Sequence, residues 1–281
     1  MYEVIGSENR IAFLKDSLIR RGDTGPAVVN LQKLLLNAGY ALGKGGADGD
    51  YGPTTERVVR EFQRVTGLVD DGIAGPKTLS TLRDRKQSAK FLTQVDIIKA
   101  AKELGIGISS MLAVNEVESK GTGFLPDGRP VILFERHIMF RELPDYGIDP
   151  RKAMAHSPGL VNSKGGGYLG GEKEWQRLEN AKRISKEAAL ESCSWGAFQI
   201  MGFHWDLLGF DSIEDYVVYN HVSEANQLDC FVRFVKSQKT MHRALQEQNW
   251  KRFAELYNGK AHKSYDVKLA SAEARYASLI A

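Results

Sequence analysis

The 281-residue sequence contains only two cysteines, Cys193 and Cys230. Two cysteines do not form a disulfide framework, so we predict that both are reduced and fill the core. No stretch approaches the roughly 20 consecutive apolar residues of a membrane-spanning helix, and we expect no stable membrane insertion. The first 20 residues lack a basic segment followed by an apolar one, which predicts that the protein has no signal peptide.

Motifs for metal and nucleotide chemistry are missing. The sequence has no His-Glu-x-x-His and no Cys-x-x-Cys, and its six histidines are scattered. The glycine run 165–167 is not followed by the Gly-Lys-Ser/Thr ending of a phosphate-binding loop. We therefore expect neither a metal nor another cofactor.

The net charge is only +3. All of this charge lies in residues 1–90, and a mildly basic N-terminal part suits an anionic polymer such as cell wall, outer-membrane surface or nucleic acid. The sequence has no concentrated Lys/Arg face, and two Asp-Gly loops in its N-terminal part would repel phosphate. We therefore expect no nucleic-acid partner, and we predict a monomer.

An internal repeat marks the N-terminal part. Residues 48–55, DGDYGPTT, match residues 71–78, DGIAGPKT, at an offset of 23 positions. In each copy Asp-Gly supplies a turn and Gly-Pro opens a helix. Apolar residues at helical spacing predict further helices over residues 55–66 and upstream around 28–35. Together they predict a compact unit of three short helices that ends at residue 82.

This pattern resembles the peptidoglycan-binding domain 1 family. The matching pieces are Gly22-Asp23-Thr24-Gly25, Val28-x-x-Leu31-Gln32-x-x-Leu35, both repeat copies and Phe62-Gln63. The resemblance implies that residues 1–82 bind wall glycan or stem peptide beside the two loops, through Asp48, Asp50, Tyr51, Gln63, Asp71 and Thr78. A structural alternative stays open: the two repeat aspartates bind only turn backbone, and the threonine only caps its helix.

Residues 83–94 are polar and predict a linker, and residues 95–281 form a second, mainly helical domain. Periodicity predicts helices over 96–104, 109–119, 175–191, 223–239 and 241–257. Residues 122–130 and the glycine-rich 162–171 are predicted loops. Residues 131–134 fit a short strand or a helix equally well.

Two glutamates, Glu116 and Glu118, close an otherwise apolar helix. A carboxyl group in apolar surroundings has a raised pKa and donates a proton at neutral pH, which is the chemistry of glycosidic bond cleavage. The two lie about 200° apart on a helical wheel, so only one can face a given cleft. The position of Glu118, directly before a glycine-containing loop, favours it.

Three motifs carry a resemblance to goose-type lysozymes and lytic transglycosylases: Glu118-Ser119-x-Gly121, the stretch 194–201 (SWGAFQIM), and Tyr257-Asn258-Gly259. A closer resemblance, to the N-acetylmuramidase domain of modular bacteriophage endolysins, adds residues 124–137, 188–192 and 250–259 and covers most of 95–281. It implies a lysozyme-like helical catalytic domain that cleaves the β-1,4 bond between N-acetylmuramic acid and N-acetylglucosamine in peptidoglycan. It also implies a protein made in the host cytoplasm, released by a separate holin, that acts in the periplasm to lyse the host.

The resemblance assigns roles to individual residues. Glu118 is the general acid, and Glu135 either orients a neighbouring side chain, stabilises an oxocarbenium ion or positions water. A structural salt bridge of Glu135 with Arg136 or another cation is the alternative. Tyr257 is a further catalytic candidate, and His137, Gln199 and Asn258 are candidate sugar contacts, with core packing as the alternative. Glu191 is expected to pair or cap locally. Two other functions stay open, a lytic transglycosylase and a non-enzymatic wall-binding virion protein.

Overall fold

The computed structural model describes residues 18–84, 89–119, 122–258 and 264–280. The chain divides into two compact units, Met1–Val95 and Asp96–Ala281. In the described residues, fourteen α-helices accompany one three-stranded sheet. The predicted mainly helical fold class is confirmed.

The first unit is a three-helix bundle formed by α1 (Pro26–Asn37), α2 (Pro53–Thr66) and α3 (Pro76–Asp84). Each helix begins at a proline that follows a glycine. Proline suits the first helical position because its φ is already helical and the missing N–H would have no helical acceptor. The bundle buries a continuous core that includes Leu31, Leu35, Tyr51, Val58, Val59, Phe62, Leu79 and Leu82.

The C-terminal half of the predicted linker packs onto this bundle. Leu92 is buried and Phe91 lies against the core of the first unit. Thr93 forms an antiparallel bridge with Leu68, and the Asp70 N–H donates to Gln94 Oε1 over 3.1 Å. Residues 85–88 lie outside the described part of the chain.

The second unit is built around a buried helix. Helix α4 (Gln94–Leu104) precedes α5 (Ile108–Glu118), whose residues 110–115 are all buried. A helix that is apolar on all sides requires neighbours all round it. One neighbour is the C-terminal helix Tyr265–Ile280, whose Arg275 and Tyr276 both donate to the Glu116 carboxylate.

A small antiparallel sheet stands beside this core. Its strands are β1 (Ile132–Phe134), β2 (Cys193–Trp195) and β3 (Ile200–Met201), in the order β1-β2-β3. The open choice over residues 131–134 is thereby settled as a strand. Since side chains alternate along a strand, Leu133, Ser194 and Met201 share one face, opposite the buried Ile132, Phe134, Trp195 and Ile200.

The remaining helices are α6 (Arg136–Glu142), α7 (Pro150–His156), α8 (Glu172–Lys182), α9 (Lys186–Glu191), α10 (Ile213–Val222), α11 (Glu224–Ser237), α12 (Lys239–Gln246), α13 (Trp250–Asn258) and α14 (Tyr265–Ile280). Two predicted helices were wrong as continuous elements. The helix over 175–191 is interrupted where the Ser185 hydroxyl accepts from Ala188 N–H and starts α9. The helix over 241–257 is interrupted where Gln248 adopts a φ of 53°.

Candidate active site

Glu118 is the last residue of α5 and is only 8% exposed. The helix ends here because Ser119 adopts an extended backbone, with φ −81° and ψ 132°, while its N–H still donates to the Asn115 carbonyl. Burial, and after it the charge of Glu118, raises the pKa of Tyr257 well above its usual value. The predicted acid and the predicted catalytic tyrosine are therefore close enough for the charge of Glu118 to act on the tyrosine hydroxyl.

Tyr257 joins helix α13 to the turn between β2 and β3. Its hydroxyl donates to the Phe198 carbonyl over 2.8 Å. Its ring stacks on Phe253, with centroids 5.7 Å apart and planes inclined by 9°. The tyrosine is thus fixed by packing on one side and by a hydrogen bond on the other. The side chain of Asn258, the neighbouring sugar-contact candidate, lies outside the described residues.

Gln199 organises the same turn through its own amide. It adopts a left-handed φ of 52°, and its Nε2 donates to the carbonyl of Gly196 over 2.8 Å. The same Nε2 donates to the Val131 carbonyl, and Ser194 Oγ donates to Gln199 Oε1. These contacts hold the turn against the start of β1. A contact between Gln199 and sugar stays a prediction.

Two buried polar residues of α11 anchor the loop that follows Glu118. Glu224 Oε1 accepts from Gly123 N–H over 2.7 Å. Gln227 donates to the Gly123 carbonyl and accepts from Ala197 N–H, so one amide ties this loop to the β2–β3 turn. Neither residue is among the predicted site residues. Their one local signal is their spacing of three positions, which places them on one face of the helix.

Glu135 anchors a second polar cluster, at the other end of β1. Its N–H donates to the Ser192 carbonyl over 2.9 Å. Its Oε2 accepts from the Tyr168 hydroxyl over 2.7 Å and lies 3.1 Å from His137 Nδ1. Arg136 donates to the carbonyls of the glycine-rich loop at residues 164 and 165. The glutamate is therefore placed beside His137 and Tyr168, and the tyrosine was absent from the predicted site.

The two clusters lie at opposite ends of the sheet. Gly196 N–H donates to the Val131 carbonyl at one end, and Glu135 N–H donates to the Ser192 carbonyl at the other. Val131 and Glu135 are four positions apart along the chain, about 13 Å in extended conformation. Alternation places Glu135 on the same face as Leu133, Ser194 and Met201. This face is the candidate substrate-binding face.

Glu174 holds the glycine-rich loop in place. Its fully buried carboxylate accepts from the N–H groups of Phe134 and Gly170, over 3.1 and 3.0 Å, and from Arg177 over 2.7 Å. Burial acts to raise the pKa of this carboxyl. The bonds from Gly170, Leu169, Phe134 and Arg177 outweigh burial and leave the pKa below its ordinary value. Ionised Glu174 therefore ties the loop to β1.

Replacing Glu174 tests this anchor. We expect Glu174→Gln to destabilise the second unit by about 3 kcal/mol at pH 7, because Arg177 is left as a buried charge. Since the folded pKa is lowered, the contribution of Glu174 is present above its unfolded value of 4.5 and is lost as the pH falls through the folded pKa. Thermal unfolding at pH 7 and at about pH 3 should show the difference between variant and parent shrinking in acid. A difference that stays constant with pH would exclude the ionised form as the stabilising one.

The two cysteines are buried and unpaired, as predicted. Burial raises the pKa of the Cys193 thiol well above its usual value and that of Cys230 to about 12. Thiolate nucleophiles are thus disfavoured at both positions. Within the described ranges no group of three or more His, Cys, Asp or Glu side chains is placed to hold a metal ion. Within the same ranges no helix is both long and apolar enough to cross a membrane.

The first unit contains two copies of one polar loop. In the second copy, Gln63 Nε2 donates to Asp71 Oδ1, to the Ile73 carbonyl and to Thr78 Oγ1, over 2.8 to 3.2 Å. The Gly72 N–H donates back to Gln63 Oε1. In the first copy, Gln32 makes the same bonds to Asp48, Asp50, Thr55 and Gly49.

Several wall-binding candidates thus already use polar atoms in hydrogen bonds within the first unit. The Tyr51 hydroxyl is also engaged, donating to the Gly72 carbonyl from a fully buried ring. Asp48 and Asp50 are exposed. Bonds from the Asp50 N–H and from Gln32 lower the pKa of Asp48, which keeps it ionised. Contact with wall polymer stays a prediction for all six candidates.

A helix-rich unit that holds buried glutamates beside a small sheet, joined to a three-helix repeat module, defines a two-domain protein of the lysozyme-like class. The family model for N-acetylmuramidase matches residues 108–277, and the chain belongs to this family. The family model for a peptidoglycan binding domain matches residues 24–82. The predicted order, a peptidoglycan-binding domain followed by a muramidase domain of the glycoside hydrolase type, is thereby confirmed.

A solved structure extends the similarity over almost the whole chain. The crystal structure of Burkholderia AP3 phage endolysin matches with a TM-score of 0.87 and 50% identity, covering 94% of this chain and 100% of that one. Curated relatives match over shorter segments. The spore cortex-lytic enzyme of Bacillus subtilis (strain 168) is 46% identical over 79 residues, and the N-acetylmuramoyl-L-alanine amidase CwlL of Bacillus licheniformis is 41% identical over 66. The matches cover 28% and 24% of this chain, and 25% and 18% of those relatives.

Proposed function

We propose that this protein is a phage endolysin that cleaves the β-1,4 bond between N-acetylmuramic acid and N-acetylglucosamine, with Glu118 as the general acid. The observation that carries the proposal is the position of Glu118, which is buried as the last residue of α5 and whose charge acts on Tyr257. A carboxyl group held away from water favours its neutral form, which is the form that donates a proton. Membership of the N-acetylmuramidase family supports the choice of bond.

In the proposed reaction, the proton of Glu118 passes to the bridging oxygen as the bond from C1 of the muramic sugar breaks. A water oxygen then bonds to C1, and its proton passes to a carboxylate. Glu135 is proposed to stabilise the oxocarbenium ion or to position water. It is held by Tyr168 and lies next to His137, which is proposed to contact sugar. Tyr257 holds the β2–β3 turn, where Gln199 and Asn258 remain proposed sugar contacts.

The first unit is proposed to hold the enzyme on its insoluble substrate. Attachment raises the local concentration of enzyme at the wall without any change in the active site. We propose that the monomeric protein reaches the wall from the host cytoplasm after a separate holin opens the membrane, and that it acts in the periplasm to lyse the host.

Product analysis tests the chemistry. Purified peptidoglycan digested by the protein should release fragments that end in a reducing N-acetylmuramic acid, detectable by mass spectrometry before and after borohydride reduction. Fragments with anhydromuramoyl ends would show that the protein catalyses the lytic transglycosylase reaction instead of hydrolysis. Binding to the wall without any cleavage would support the non-enzymatic virion protein.

Tyr168 offers a separate test of Glu135. We expect Tyr168→Phe to lower kcat about tenfold with little change in KM, because the variant removes the 2.7 Å hydrogen bond that orients the Glu135 carboxylate. Tyr219→Phe is the matched control. It removes a tyrosine–carboxylate bond of 2.9 Å, to Asp229, between two side chains that are outside the predicted site. Equal rates for both variants in a turbidity assay would show that the bond to Glu135 has no part in the reaction.

A further inference from the structure

The two repeat copies of the first unit share one scaffold but differ in what surrounds it. Gln32 and Gln63 hold their loops by matching bonds, so residues of α1 and α2 correspond at an offset of 31 positions. Geometry supports this pairing. A Cβ placed on Gly49 would lie 3.0 Å from Val29, and one on Gly72 would lie 3.2 Å from Arg60. Val29 and Arg60 therefore occupy equivalent positions.

The second copy is closed by ion pairs. Arg60 Nε lies 3.0 Å from Asp70 Oδ1, and Arg64 Nη2 lies 2.8 Å from Asp70 Oδ2. The side chains of Arg60 and Asp70 are only 16% and 14% exposed. The arginine stem lies across the loop glycine Gly72, and its guanidinium forms an ion pair with Asp70 within the module.

The first copy is open because the closing residues are replaced. Val29 stands in place of Arg60, and Ala47 in place of Asp70. The resulting groove has a volume of about 750 Å³, and its lining includes Thr24, Pro26, Val29, Lys33, Asp48 and Asp50. A groove of this size is typical of a small-ligand site.

The groove carries both signs of charge. Lys33 and Asp50 are exposed, and among the described residues neither the Lys33 ammonium nor the Asp50 carboxylate has a hydrogen bond or ion pair. Their counterparts in the second copy are Arg64, which is paired, and Ile73, which is apolar. A ligand with an ammonium and a carboxylate group complements this arrangement.

We propose that this groove binds a zwitterionic segment of the peptidoglycan stem peptide, with its amine at Asp50 and its carboxylate at Lys33, and that the second copy has only a structural role. The inference rests on the proposed wall binding. Peptide-free glycan strands carry carboxylates but no ammonium groups, so they could form an ion pair with Lys33 but not with Asp50. The stem peptide carries both.

Binding of the full-length chain to purified sacculi tests the assignment, in the Glu118→Gln background so that the wall is not digested. We expect Lys33→Met and Asp50→Asn each to weaken binding about tenfold, the loss of roughly one charge-assisted contact. The double variant Val29→Arg/Ala47→Asp rebuilds the closing pair of the second copy in the first. It should abolish measurable binding while the melting temperature is preserved. Arg64→Met, the matched change in the second copy, should bind like the parent.

The wall itself provides the second arm of the experiment. Sacculi stripped of stem peptides by an amidase should bind at least tenfold more weakly than intact sacculi. Equal binding to stripped and intact sacculi, or parental binding by the folded double variant, would overturn the proposal. If the parent fails to bind intact sacculi at all, wall binding itself is refuted, and that outcome is distinct from a wrong groove.

Discussion

Glu118→Gln is expected to reduce the rate of peptidoglycan cleavage about a thousandfold and to leave wall binding unchanged. The amide keeps the shape of the side chain but has no acidic proton, and a positioned general acid contributes a factor of about 10² to 10⁴. Turbidity of outer-membrane-permeabilised cells, together with sedimentation on sacculi, measures both quantities.

Glu116→Gln is the matched control on the same helix. Its carboxylate is held by Arg275 and Tyr276 of α14, on a different side of α5 from Glu118. We expect activity within a few-fold of the parent and a lower melting temperature, because an ion pair of low exposure is lost. If Glu116→Gln were inactive and Glu118→Gln active, Glu116 and not Glu118 would be the general acid.

Gly202→Ala is expected to have the largest effect on stability. A Cβ at this position would lie 2.4 Å from the Leu190 carbonyl oxygen and 2.9 Å from Glu191 Cα. These neighbours are backbone atoms at the end of α9, so they cannot move aside as a flexible side chain would. We expect a loss of about 3 kcal/mol or more in the free energy of unfolding.

The control for this substitution is Gly159→Ala, where no atom lies within 4 Å of the added carbon. Denaturant unfolding of the two variants should separate them by several kcal/mol. Similar unfolding midpoints for the two variants would contradict this prediction. They would show that the backbone after β3 can shift away from α9 at little cost in stability.

Much of the first unit was predictable because its signals are local. Gly-Pro starts each of the three helices, and the repeated Asp-Gly turns set the spacing between them. The continuous helix over 175–191 was predicted wrongly for the same reason. Apolar periodicity continues across residues 183–185, but the helix is interrupted there because the Ser185 side chain caps a new helix. One N-terminal capping side chain can therefore divide a helix even where the apolar periodicity continues before and after it.

The candidate site was only partly predictable. Glu118 and Glu135 are visible as carboxylates in apolar runs. Glu191 was expected to pair or cap locally, but it accepts from Trp205, 14 positions away, over 2.7 Å. Gln227 contacts Gly123 across 104 positions, and Tyr168 reaches Glu135 across 33. Such partners are brought together by packing of distant elements, and single-sequence periodicity contains no information about them.

The pairing of α5 with α14 has a consequence for how the enzyme is made. The helix that ends in Glu118 packs against a segment, Tyr265–Ile280, that the ribosome delivers some 150 residues later. During synthesis the apolar surface of α5 that α14 covers is therefore exposed. The domain completes its packing only after that last segment has been translated. Nascent chains should accordingly be inactive until release, and a product that stops short of residue 265 should aggregate rather than digest the wall.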